Sequence, residues 1–112
     1  GIDINKIIDR IQIEWGFERA DVEDLVNSFF DDFRSKVDEL KLAYDSQNYA
    51  QVNEIAHYLA GASGNLKIDE IYKLTKELNV LLKNKETYTE EEISNAKELI
   101  ESLIEIKNSR NI

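Results

Sequence analysis

One imidazole and its neighbours hold most of the chemistry this sequence can offer. His57 is the only histidine among 112 residues, and cysteine is absent. It lies in Glu54-Ile55-Ala56-His57-Tyr58-Leu59-Ala60-Gly61-Ala62-Ser63-Gly64-Asn65-Leu66. A zinc site needs three or four ligands, which one histidine without cysteine does not supply. A hydrolytic triad needs a nucleophile and an orienting acid around the base. Ser63 is the nearest hydroxyl, but on a helix it sits roughly 120° round from His57, where its hydroxyl would bond back to the preceding turn. Asp31 and Asp32 are adjacent carboxylates, yet consecutive helical residues diverge by about 100°, which argues against an acid/base or metal pair. Gly61 and Gly64 fall within a helical pattern and lack the lysine of a phosphate-cradling loop. Two readings stay open from residue type alone: an inert surface histidine, or an imidazole nucleophile towards phosphorus.

The surrounding helix decides how the ring is presented. At about 100° per residue, Val52, Ile55, Ala56, Leu59, Ala62 and Leu66 share one apolar face, with Ser63 beside them. His57 falls roughly 160° from the centre of that face, so it is expected to point to solvent. Its own face holds Asn53, Glu54, Ala60, Gly61 and Gly64. Two glycines inside a helix each cost about 1 kcal/mol relative to alanine. Small residues around an exposed imidazole leave room for something bulky to reach the ring.

The stretch from Ala56 to Leu66 resembles the signature of histidine phosphotransfer (HPt) domains, roughly Ala-His-x-Leu-Lys-Gly, small residues, then Asn-Leu-Gly. His57, Leu59, Gly61, Ser63, Asn65 and Leu66 match, with Ala56 before them. Ala60 stands where the family usually has lysine, and Lys67 where it usually has glycine. The resemblance implies a phosphorelay intermediate with His57 as phosphoacceptor. Its partner would be a response-regulator receiver domain that supplies Mg²⁺ and a phospho-aspartate, with a sensor kinase as a further partner. Such a domain is a phosphocarrier, not an enzyme, and needs no cofactor or metal of its own. It could stand free or form part of a hybrid sensor kinase. Ala60, Gly61 and Gly64 would then form the docking surface. Asn79 matches a place where some family members carry an amide that bonds the imidazole or its phosphate. Lys76 would be level with His57 but point outwards, and Lys67 lies about 15 Å along the axis at 1.5 Å per residue. The alternative reading is a non-phosphorylated docking module of the same fold, with Ala60 marking lost chemistry. A lysine at position 60 would sit about 60° from His57 on the same face, where its ammonium could neutralise developing phosphoryl charge.

The elements that must position this site read as an all-α domain spanning 1–112. No proline interrupts the chain. Helices are expected at about 3–13, 21–44, 48–66, 68–84 and 89–107, from stripes such as Ile4, Ile7, Ile8 and Ile11. Asp3, Asp21, Asn48 with Gln51, and Thr89 with Glu92 supply N-terminal caps or capping boxes. Val22, Leu25, Val26, Phe29, Phe33, Val37, Leu40 and Tyr44 keep one stripe through the second helix. Short connections between the last four helices predict an up-down-up-down four-helix bundle with a short extra N-terminal helix as a lid. The net charge of −9 argues against nucleic acid and anionic membrane surfaces, both of which attract clustered Lys and Arg. No apolar run approaches the roughly 20 residues of a membrane span, and the expected location is the cytoplasm.

Overall fold

The computed structural model describes residues 1–110 and 112, and every regular element among them is helical. The elements are α1 (Ile4–Trp15), α2 (Arg19–Asp45), α3 (Tyr49–Asn65), α4 (Asp69–Leu82) and α5 (Glu90–Lys107). α2 packs against α3 and α5, and α4 packs against the same two helices. α1 packs on α2. Their apolar stripes meet in one core, in which Phe30, Phe33, Leu40, Leu59, Ile71, Leu78 and Leu103 are among the larger fully buried side chains. The rings of Phe29, Phe30 and Phe33 contact one another inside it, with Phe29 and Phe30 at 5.1 Å between centroids.

α1 begins where the Asp3 carboxylate accepts from the Lys6 backbone N–H at 3.2 Å. It ends at Gly16, whose φ of 69° is left-handed and open to glycine without a Cβ penalty. Ile8 and Ile11 are buried. The helix does more than cover an end. The Arg10 guanidinium donates to the carbonyls of Leu66 at 2.5 Å and Lys67 at 3.2 Å, satisfying acceptors that the end of α3 leaves open.

α2 starts two residues before the expected cap. Glu18 holds the cap position without a side-chain bond, and Asp21 lies in the first turn. Arg19 explains the earlier start: it bridges Asp9 of α1 at 2.6 Å and Glu23 at 3.1 Å. That pair draws the first turn of α2 onto α1. Leu25, expected on the stripe, is 39% exposed, while Phe30 is buried. Tyr44 is half-buried, with its hydroxyl donating to the Ile93 carbonyl at 3.2 Å. α2 is packed by α1, α3 and α5, so its buried arc shifts along its length and no straight stripe describes it.

The α3–α4 turn sets the two helices that carry the site. Lys67 takes φ 53°, its N–H bonds the Gly64 carbonyl at 3.1 Å, and the Ile68 N–H bonds the Ser63 carbonyl at 2.9 Å. This double closure is the Schellman arrangement, which favours glycine at the left-handed position. At the α4–α5 turn both halves of the Thr89–Glu92 capping box form. At Asn48 only half of the expected box forms: Asn48 accepts from the Gln51 N–H at 3.3 Å. The Gln51 side chain accepts from the Asn48 side-chain amide at 3.1 Å and leaves the backbone N–H alone.

Two outcomes follow. Lys67→Gly relieves a left-handed lysine and should raise stability by about 0.5–1 kcal/mol, since its exposed pair with Glu14 contributes little. Denaturant midpoints check this. The second concerns Glu92, whose carboxyl is pulled down to about 2 by the Lys85 ammonium and then by the Thr89 backbone N–H. A carboxyl lowered in the folded state stabilises the fold above its ordinary value of 4.5, and that contribution is lost as pH falls towards 2. Glu92→Gln should therefore lower the melting temperature at neutral pH and flatten its fall in that acid window.

Candidate functional site

His57 lies near the middle of α3 with an exposed side chain. The residues beneath it are not arranged as a symmetric helical wheel predicts. α3 buries Val52, Ile55, Ala56, Leu59, Ala60 and Ser63, whereas Ala62 is only partly buried. The inward face is thus turned towards α4. Ala60 is 6% exposed and does not stand on the open face with His57. The physical reason is size. Ala56, Ala60, Ser63 and Gly64 present small groups along one flank, and the packing of α3 on α4 is the most extensive in the protein. A lysine at 60 would have to carry its stem out past α4 before its ammonium reached water.

The two glycines also part company. A Cβ on Gly61 would meet nothing within 4 Å, so this surface is open. A Cβ on Gly64 would lie 3.1 Å from Cδ1 and Cε1 of Tyr72. Gly64 is therefore a seat for the Tyr72 ring of α4, and the expectation that it lies open beside His57 is corrected.

Asn79 sits on α4 at the expected level, but it is 5% exposed and its acceptors are engaged by Asn53. The Asn53 side-chain amide donates to both the Asn79 carbonyl and its Oδ1, each at 2.8 Å. These bonds make a clamp between α3 and α4, one turn before His57. From the sequence alone Asn53 is only a member of the exposed face of α3. Two polar residues at matching levels of antiparallel helices are the signal that could have paired them.

On the other flank, the Tyr58 hydroxyl donates to the Asp32 carboxylate of α2, and the Lys36 ammonium lies 5.2 Å from the Tyr58 ring centroid. The hydrogen bond to Asp32 and partial desolvation raise the Tyr58 pKa. Lys36 itself pairs with Glu39 at 3.3 Å and Asp32 at 3.7 Å. This flank escaped the sequence reading, because nothing local marks Tyr58 and Asp32 as partners. It does account for Asp32, while Asp31 pairs with Arg34. Ser63 is buried and donates to the Leu59 carbonyl at 2.6 Å, so its hydroxyl is committed to its own helix.

The site is a single imidazole raised on a rigid helix, clamped on one side by Asn53–Asn79 and on the other by Tyr58–Asp32. Such a group can take up a ligand from outside, on a surface that a second protein can approach. A family model described as Hpt domain matches residues 24–109. No curated protein and no solved structure gives a significant match.

The two glycines give a direct check on this geometry. Gly61→Ala should raise stability by about 0.5–1 kcal/mol through helix propensity. Gly64→Ala should gain less, because the Tyr72 ring must give way. Equal gains in urea midpoint would contradict the seat described for Tyr72.

Proposed function

The chain belongs to the Hpt domain family, and we propose that it carries a phosphoryl group on His57. Membership gives it a phosphotransfer role in two-component signalling, where Hpt domains meet receiver domains and kinases. The finer reading is that His57 exchanges the group with the aspartate of a response-regulator receiver. In this reading α2 to α5 form the up-down-up-down bundle, α1 is an addition to it, and the domain works in the cytoplasm with its partner. One observation carries the proposal: the only histidine of the chain stands exposed in mid-helix, beside the open surface of Gly61.

The chemistry balances without a group bound to this chain. The unprotonated ring nitrogen of a neutral imidazole attacks phosphorus of the aspartyl phosphate. A P–N bond forms as the P–O bond breaks, and the aspartate carboxylate leaves with the electron pair. The other ring nitrogen keeps its proton. The labile P–N bond lets the step run in either direction. What the chain contributes is position: the α3 backbone holds the ring clear of the core, and the flanking clamps fix the helix that bears it. Gly61 lets the receiver surface approach. Ala60, Gly64 and Asn79 support docking from beneath, by keeping α4 close to α3.

His57→Gln should abolish acceptance of label from a phosphorylated receiver while changing stability by less than about 1 kcal/mol, as at other surface sites. Gly61→Leu should fold and weaken receiver binding by crowding the ring. If wild type binds a receiver yet takes up no acid-labile phosphate, the docking-module reading replaces this one, and Ala60 in place of lysine is the residue that favours it.

A further inference from the structure

A phosphoryl group on an exposed imidazole brings about two negative charges to a chain whose net charge is already −9, so the cations around His57 matter. Ala60 is buried and supplies none. Lys67 is occupied at the far turn by Glu14 at 3.4 Å. Lys36 lies over Tyr58 on the α2 side, held by Glu39 and Asp32. On the α4 side the rim is read from two contacts: Asn53 with Asn79, and Gly64 with Tyr72. These run antiparallel, and His57 lies about 6 Å along α3 from Asn53 at 1.5 Å per residue. Lys76 lies about 4.5 Å along α4 from Asn79 in the same direction. The two residues are therefore level.

They also flank the same seam. On α3, His57 is about 20° to 40° outside Gly64 and Asn53. On α4, Lys76 is about 40° outside Tyr72 and about 60° outside Asn79. Lys76 is exposed and engages no carboxylate among the described residues. Glu54, the acidic neighbour on α3, falls on the side of His57 away from α4. Lys73 is a turn further along α4, and Lys83 lies beyond its end. The small residues of the α3–α4 seam let the two helices pack closely.

We infer that Lys76 of α4 is a catalytic cation of this site, its ammonium meeting the phosphoryl oxygens on His57 across the α3–α4 seam. The inference rests on His57 being the phosphoacceptor, and the test separates the two. Phosphoramidate is the probe: its P–N bond breaks, ammonia leaves, and the phosphoryl group passes to an imidazole nitrogen without any receiver. ³¹P NMR of the full chain then reads both the rate of phosphohistidine formation and the pH at which the attached phosphoryl titrates. K76A should slow formation roughly three- to fivefold and move the phosphoryl titration about half a pH unit upwards. K76R should stay close to wild type in both. Loss of a merely structural side chain would not move the titration, and circular dichroism confirms that the exposed variants fold. If His57 is phosphorylated but K76A matches wild type in rate and titration, Lys76 has no such role and the acceptor reading stands. If wild type gives no more phosphohistidine than H57Q, both are overturned.

Discussion

The close approach of α3 and α4 is the constraint on which the rest of the site depends. Ala56, Ala60, Ser63 and Gly64 offer little bulk along the α3 flank, and the Tyr72 ring occupies the space that a Gly64 side chain would fill. Packing of this kind gains dispersion contacts between backbones as well as side chains, and it fixes the rotation of α3 about its own axis. A bulkier flank would push α4 away and turn the helix. His57 would then leave the rim of the seam and stand on an isolated crest.

Polar groups inside this seam are handled locally. Ser63 and Thr75 are fully buried, and each hydroxyl donates to a carbonyl one turn back in its own helix. Neither asks the opposite helix for a partner, so the two surfaces can slide to the distance that packing prefers. The Asn53–Asn79 clamp then sets the register. Among the described residues no buried side-chain nitrogen or oxygen lacks a partner, which is the condition for a polar seam to be stable. On the far side, Tyr58 and Asp32 fasten α3 to α2.

Much of this was legible in the sequence, because helical periodicity reports burial. The five helices, the Asp3 and Thr89 caps and the exposure of His57 follow from spacing and residue type. Small residues explain where the structure departs from that pattern. A helical wheel assumes a buried arc centred on the large apolar residues, and alanine and glycine carry almost no hydropathy signal. The wheel therefore puts Ala60 and Gly64 on the open face, although small residues are the ones that admit a neighbouring helix. The level of Asn79 is visible in the sequence, but its partner Asn53 is a tertiary contact that no local pattern marks. The start of α2 moved because Arg19 finds Asp9 in another helix, a tertiary pairing that no local capping rule contains. Lys67 in a left-handed position is the converse case: its residue type points away from the conformation that the turn demands.

In the proposed function, the one imidazole of this chain is the group that takes up phosphorus. Labelling histidine alone with ¹⁵N makes His57 the source of both ring signals, because no other histidine is present. A ¹H–¹⁵N spectrum recorded during incubation with a phosphorylated receiver domain reads the reaction at its atoms. A new pair of imidazole resonances is expected, one of them split by coupling to ³¹P, while the backbone signals of α3 and α4 keep their dispersion. Incorporation of phosphate with the imidazole resonances unchanged would contradict it.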